Sequence, residues 1–249
     1  MGRLVIQERG ISIEMMLGVM DILENDLGAR DMDAGRKRDI IVAGAALVIL
    51  YGGALRGGEI FLLEASELLK RCKDGKYHVT LPHVIAPLMG HFKHETGERN
   101  VLIPLPNVTA SGLKIRVWIE RLVVEVLKKE GRQDEVGPAI CNYDGFVMPR
   151  ARINHVLHGA LKKLQSERPD IVPPADMDVE NDTSIHRGAR RGAHTRAKEA
   201  GVPEWVIILH NRWRKSQSRS GSLPNLSMSE LYMEITQSLK SKRTFPLAL

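Results

Sequence analysis

The spacing of apolar side chains predicts two different helices in the first part of the chain. Residues 12–29 repeat apolar positions at helical spacing, which is typical of an amphipathic helix with one buried face. These positions are Ile13, Met16, Leu17, Met20, Leu23 and Leu27. Residues 30–38 (RDMDAGRKR) read as a charged connector. Residues 39–51 are almost wholly apolar, so they predict a helix that is buried on all sides.

The pattern changes in the middle of the chain, where strand-forming residues replace the helical repeat. Residues 77–104 hold two β-rich runs on either side of HETGE, which predicts a hairpin that turns there. Helices are predicted over residues 110–130 and 149–166, and a proline-rich acidic linker follows them. The overall expectation is a mainly α fold with a small antiparallel β-sheet.

The last third of the chain alternates helices with polar loops. A basic helix is predicted to end near Gly201, and a second helix to open at Pro203, because proline suits the first helical turn. Ser227 and Glu230 have the spacing of a capping box. This spacing predicts one more helix, which carries Tyr232.

Positive charge is concentrated in one part of this pattern. The net charge of the chain is +6, and the segment from His186 to Ser220 holds nine Arg and Lys against two Glu. That segment therefore carries seven net positive charges, and the remainder of the chain is close to neutral. Clustered guanidinium groups match the oxygens of phosphate groups, so this distribution is as consistent with a nucleic-acid partner as with a solvated basic helix face.

Several other functions find no support in the sequence. Cys72 and Cys141 are the only cysteines, too few for a disulfide scaffold or a cysteine-based zinc site. The apolar run of residues 40–51 is too short to span a bilayer. The glycines at 53 and 58 have phosphate-loop spacing, but Glu59 stands where such a loop needs lysine. The sequence predicts no metal, no cofactor and no membrane partner.

Five residues stand in a characteristic order along the chain. They are Arg56 in ALRGGEI, Lys93 near the hairpin turn, Arg190 in HRGARRGAHTRAKEAGVP, Trp213 in NRWR and Tyr232 in SELYMEI. This order resembles the catalytic domain of the tyrosine recombinases, the phage-integrase family, over roughly residues 37–240. Residues 37–249 are accordingly predicted to form a recombinase-like catalytic domain. Residues 1–36 are predicted to be an N-terminal helix and connector, a possible remnant of a DNA-gripping arm.

The resemblance implies a DNA strand transferase that cuts and rejoins duplex DNA in recombination or integration. Tyr232 would attack a phosphodiester and form a 3′-phosphotyrosine ester, which stores the bond energy without metal or ATP. Arg56 and Arg190 would clamp the nonbridging oxygens, which gather negative charge in the transition state. Lys93 would donate a proton to the leaving 5′-oxygen, and Trp213 would offer its indole N–H to the phosphate.

Further residues would support this chemistry. Glu59, three residues beyond Arg56, would orient it, and His186 or Arg187 would occupy the position of the family's second-box histidine. The predicted DNA-binding residues outside the catalytic set are Arg191, Arg196, Arg212, Arg214 and Lys215. The expected partner is double-stranded DNA, bound by a homodimer or homotetramer. The expected location is intracellular, associated with the nucleus or nucleoid.

Three departures from the family pattern keep other functions open. Arg187 occupies the position of the usual histidine, and arginine remains protonated, so it cannot act as a base. Trp213 lies nineteen residues before Tyr232, about twice the usual spacing, and the N-terminal arm is short. One alternative is a catalytically impaired DNA-binding protein derived from such an enzyme. Another is an unrelated basic helical domain that binds RNA or a protein.

Overall fold

The computed structural model of the chain describes residues 9–73, 76–77, 83–91, 99–130 and 136–210. Its long helices are α1 (Ile13–Leu27), α2 (Ala34–Gly52), α5 (Arg150–Glu167) and α7 (Gly188–Glu199). Shorter helices are α3 (Ala65–Lys70), α4 (Ile115–Arg121), α6 (Val179–Asp182) and α8 (Glu204–His210). A 3-10 turn spans Glu59–Leu62, and α4 continues as a π-helix over Leu122–Lys128.

Two antiparallel strand pairs complete the described part of the chain. The strands β1 (Cys72–Lys73) and β2 (Lys76–Tyr77) form one short pair. The longer pair joins β3 (His83–His91) to β4 (Arg99–Pro106), with Val84 opposite Leu105 and Leu88 opposite Val101. The two paired strands of the predicted hairpin are therefore confirmed, whereas its turn at HETGE lies outside the described residues. The mainly α class with a small antiparallel sheet is also confirmed.

The buried helix α2 lies at the centre of a single hydrophobic core. It packs against α1, α4, α5, α7 and β4, so its side chains from Ile40 onward are removed from water. Gly44 lets Trp118 of α4 lie directly on the α2 backbone, because a Cβ at this position would overlap the indole ring. This all-round burial confirms the prediction made from the apolar run of residues 39–51.

The connector predicted over residues 30–38 is wrong in its second half, because α2 already begins at Ala34. Asp33 caps the helix, and its carboxylate accepts the N–H of Arg36 at 3.0 Å. Arg38 is buried and pairs with Glu130, and its guanidinium also donates to the carbonyl oxygen of Cys141 at 2.8 Å. A charged sequence thus continues the helix because a distant carboxylate and carbonyl satisfy the buried charge.

The other helix predictions differ from the structure mainly at their ends. The helix predicted from residue 110 begins only at Ile115, because Thr109 holds a turn in which its hydroxyl accepts the N–H of Leu113 at 3.0 Å. Helix α1 agrees with its prediction within two residues and packs against α5 in the common core. The acidic linker contains the short helix α6, which is capped by Asp178.

Candidate functional site

The candidate site begins at a tight turn that follows α2 and carries Arg56. Ala54 has a φ of +46°, a left-handed conformation that is unfavourable for a residue with a Cβ. The N–H of Arg56 donates to the carboxylate of Glu59 at 2.9 Å, and the N–H of Glu59 donates to the carbonyl of Arg56 at 2.8 Å. Glu59 therefore holds the backbone of the turn from which the half-buried Arg56 side chain projects.

This turn is in direct backbone contact with the segment that precedes α7. The N–H of Gly57 donates to the carbonyl of His186 at 3.0 Å. A Cβ on Gly57 would overlap the carbonyl oxygen of Ile185 and lie 2.8 Å from the Cα of His186, so the contact requires glycine. The structure thus brings together the two segments that carry Arg56 and Arg190, although they are far apart in sequence.

Helix α7 holds Arg190 close to the core. A Cβ on Gly192 would overlap the carbonyl oxygen of Ile11, and the N–H of Ile11 donates to the carbonyl of Gly188 at 3.0 Å. This close approach draws one face of α7 inward and leaves Arg190 only 7% exposed. Arg190 is therefore the buried arginine of the box, whereas Arg187 at the helix N-cap is exposed.

His186 and Arg187, the two candidates for the position of the family's histidine, both lie on the surface. The backbone N–H of His186 donates to the Ser184 hydroxyl at 3.0 Å, and its carbonyl accepts the Gly57 N–H described above. The imidazole of His186 and the guanidinium of Arg187 are exposed at the start of α7. Both side chains are thus accessible from outside, next to the turn that carries Arg56.

His194 is a residue of this region that the sequence analysis did not single out. It lies one helical turn after Arg190 on α7 and is half-buried. Burial lowers the pKa of His194, and the positive charges of Lys198 and Arg190 lower it further, whereas Glu204 has a weaker opposing effect. Burial and these charges therefore favour the neutral form of the imidazole. The position of His194 four residues after Arg190 was the signal in the sequence by which it could have been found.

Helix α5 also contributes to this region, which the sequence pattern did not reveal. Asn154 accepts the N–H of Ile185 through its side-chain oxygen at 2.9 Å, so α5 supports the segment before α7. One turn earlier, Arg150 lies beside the Arg56 turn, because a Cβ on Gly58 would be 3.0 Å from its Nη2 atom. The sequence offers no local signal for either residue, since both look like ordinary polar positions of an amphipathic helix.

The other two predicted DNA-binding residues of α7, Arg191 and Arg196, are less exposed than Arg187. Arg191 and Arg196 are both half-buried. The Cβ of Arg191 lies against the Gly10 segment, and the charge of Arg196 acts on the buried Tyr51 of α2. Burial raises the pKa of Tyr51, and the positive charge of Arg196 opposes that shift. The exposed positive surface is therefore formed around Arg150 and Arg187 more than around Arg196.

Six predicted site residues lie outside the described residues: Lys93, Arg212, Trp213, Arg214, Lys215 and Tyr232. The structure therefore describes the candidate site only through the segments that carry Arg56 and Arg190. Within the described ranges, no group of three histidine, cysteine or acidic side chains is arranged to hold a metal ion. None of the helices in the same ranges has the length and apolar character needed to cross a membrane.

Comparison with known proteins assigns no family to this chain. No protein-family model matches the sequence, and the search of curated proteins also finds no significant match.

Proposed function

We propose that this chain is the catalytic domain of a tyrosine-recombinase-type DNA strand transferase. The observation that carries the proposal is the hydrogen bond from Gly57 to His186, which joins the Arg56 turn to the segment that leads into Arg190. A clamp for one phosphate group needs two cationic groups at a single place. The contact between the two segments that carry Arg56 and Arg190 supports such a clamp.

The burial of the two arginines supports a clamp more than an ordinary charged surface. Arg190 is nearly inaccessible and Arg56 is half-buried, so both guanidinium groups have lost part of their hydration. A partly desolvated arginine interacts more strongly with phosphate oxygens than one in bulk water does. Glu59 fixes the Arg56 turn through the backbone, which limits the reorganisation needed when the phosphate binds.

In the proposed reaction, the phenol oxygen of Tyr232 forms a bond to phosphorus, and the bond from phosphorus to the 5′-oxygen breaks. Arg56 and Arg190 stabilise the charge on the nonbridging oxygens, and Trp213 adds an indole N–H donor. Lys93 gives a proton to the leaving 5′-oxygen, and His186 is the candidate acceptor of the tyrosine proton. The reverse attack by a 5′-hydroxyl rejoins the strand and frees Tyr232.

The proposed partner is double-stranded DNA, on which two or four copies of the chain would assemble. Because the DNA target is unknown, the test uses a pool of duplexes with a randomised centre and a nick that lets the cleaved end diffuse away. We expect the wild-type chain to form a covalent adduct that survives denaturing electrophoresis. Tyr232→Phe should abolish the adduct, because phenylalanine has no nucleophilic oxygen.

Tyr143→Phe is the matched control for this experiment. Tyr143 is 57% exposed, so its hydroxyl is accessible, but it lies on the loop beside Arg38 and outside the candidate site. The control should form as much adduct as the wild type does. An adduct that persists in Tyr232→Phe would show that the nucleophile is wrongly assigned.

A second candidate function is DNA binding without cleavage. The exposed Arg187 in the position of the family's histidine favours it, because a permanently charged guanidinium cannot accept the proton of Tyr232. Tight, salt-sensitive duplex binding without any adduct would support this candidate over the first. Preference for structured RNA over duplex DNA would instead support an unrelated basic domain.

A further inference from the structure

Arg150 is an exposed cation beside the turn that carries Arg56. It is the first residue of α5, and its guanidinium lies over Gly58, where an added Cβ would be 3.0 Å from Nη2. Gly58 is only two residues beyond Arg56 and has no side chain to displace the guanidinium. The long arginine side chain therefore reaches the edge of the candidate site from a separate helix.

Arg150 differs from the other cations of α5 in its pairing. Arg152 pairs with Asp39 at 2.7 Å, Lys163 pairs with Asp26 at 3.2 Å, and Lys162 pairs with Glu180. Among the described residues no carboxylate lies within ion-pair distance of Arg150, and its one aromatic neighbour is Phe61, whose ring centre is 5.9 Å away. Charge pairing within the described ranges therefore does not account for this arginine.

Helix stability does not account for Arg150 either. It lies in the first turn of α5, which contains no acidic residue. The helix dipole opposes a cation near the N-terminus of a helix. An exposed arginine at this position therefore lowers the stability of the free protein. A bound anion would interact favourably with both the arginine and the helix dipole.

The face of α5 that carries Arg150 also supports the segment before α7. Asn154 follows Arg150 by four residues, so the two side chains lie on the same face of the helix. Asn154 accepts the N–H of Ile185, which is followed directly by the exposed His186 and Arg187. Arg150 consequently belongs to the same surface as the Arg56 turn and the start of α7.

We propose that Arg150 binds a second DNA phosphate, next to the one held by Arg56 and Arg190; this inference rests on the proposed function. Arg190 is buried and Arg56 half-buried, so they reach one phosphate inside the site, whereas the exposed Arg150 meets the DNA backbone at its rim. The contact reads no base sequence, and it fixes the position of the strand relative to the clamp. Arg150 is thus a positioning residue.

The test is equilibrium binding of the full chain to a mixed-sequence duplex over a series of salt concentrations. Each phosphate contact contributes about 0.9 to the slope of log binding constant against log salt concentration. Arg150→Gln should reduce the magnitude of that slope by about one contact and weaken binding uniformly across sequences. Arg150→Lys keeps the charge and should keep most of the slope.

Arg152→Gln is the matched control, since Arg152 lies in the same turn but its charge is held by Asp39. It should leave the slope unchanged, and thermal melting checks that each variant is folded. If Arg150→Gln melts early, Arg150→Met replaces it, because methionine keeps an apolar stem against Phe61. An equal loss of slope in Arg152→Gln would overturn the proposal, because it would show only an effect of total charge.

Different results would overturn the role of Arg150 and the proposed function. An unchanged slope in Arg150→Gln, in a chain that still forms the Tyr232 adduct, overturns the role of Arg150 and leaves the proposed function intact. A wild-type chain that binds no duplex and forms no adduct overturns the proposed function itself and the role of Arg150 with it. A reduced slope with an unchanged control supports the phosphate contact.

Discussion

Helices α2 and α7 both lie against the core, but they pack by opposite means. Helix α2 fills space with large aliphatic side chains that are fully buried, among them Ile41, Leu47, Ile49 and Leu50. The buried apolar face of α7 contains only small residues, namely Gly188, Ala189, Gly192, Ala193 and Ala197. One helix contributes buried apolar area, whereas the other contributes a close approach of its backbone to the Gly10–Ile11 segment.

Because of this difference, substitutions in α2 should change mainly the stability of the protein, whereas substitutions in α7 should also change the geometry of the site. The packing of α2 depends on side-chain volume, so a small loss of volume lowers stability without moving the helix far. The position of α7 depends on the absence of side chains, so an added atom must displace the helix or the Ile11 segment. Because Arg190 is carried by α7, such a displacement would also move the proposed phosphate clamp.

The largest effect is expected where an atom is added to α7. In Gly192→Ala the new methyl group would overlap the carbonyl oxygen of Ile11, a backbone atom that cannot rotate away. We expect the free energy of unfolding, measured by urea denaturation, to fall by about 3 kcal/mol. DNA binding by the fraction that remains folded should also weaken, because Arg190 moves with the helix.

Gly159→Ala provides the matched control for this substitution. Gly159 lies within α5, and beyond the adjoining backbone of the helix itself no atom lies within 4 Å of the position of an added Cβ. The same chemical change should therefore stabilise the protein by up to about 1 kcal/mol, because alanine favours the helix. Equal stability of Gly192→Ala and Gly159→Ala would contradict the close approach of α7.

A smaller effect is expected where an atom is removed from α2. Ile49→Val deletes one methyl group from a fully buried side chain and leaves a small cavity. The free energy of unfolding should fall by about 1 kcal/mol. DNA binding by the folded protein should be unchanged. A selective loss of DNA binding in this variant would contradict the expectation that α2 affects stability and not the geometry of the site.

The smallest effect concerns the dependence of stability on pH through His194 of α7. Its pKa in the folded protein is lowered by burial and by nearby positive charge, so the unfolded chain binds the proton more readily. The stabilising contribution is fully present above the unfolded pKa of about 6.5 and is lost as the pH falls from there through the lower pKa of the folded state. His194→Gln should therefore reduce the loss of stability on acidification, as measured by urea denaturation at several pH values. An unchanged pH profile would show that His194 is as well hydrated in the fold as in the unfolded chain.

Much of the helical framework could be predicted from local pattern. The apolar repeat of residues 12–29 identifies α1, the uniform run of residues 39–51 identifies the core of α2, and the two β-rich runs identify the β3–β4 pair. The early start of α2 was missed because a run of charged residues looks like a solvent-exposed connector. Asp33 caps the helix locally, and the buried charge of Arg38 is satisfied by Glu130 and Cys141, which are supplied from elsewhere in the chain.

The candidate site was predictable only in part. Arg56 and Arg190 were selected by their order along the chain and by the resemblance of their sequence contexts to a known family. Arg150 and Asn154 carry no such signal, since polar residues on an exposed helix face are common in every protein. Their relation to the site follows from the approach of Arg150 to Gly58 and from the bond between Asn154 and Ile185.

The sequence by itself determined the mainly helical class, the concentration of positive charge after His186 and the order of the proposed catalytic residues. These properties are local, because they depend on periodicity and residue type. The tertiary structure decided that the Arg56 turn touches the start of α7 and that Arg190 is the buried arginine of its cluster. Both outcomes depend on glycine at positions 57 and 192, where a Cβ would overlap backbone atoms of distant segments. The sequence does not show which segments these are, because they are brought into contact only by folding.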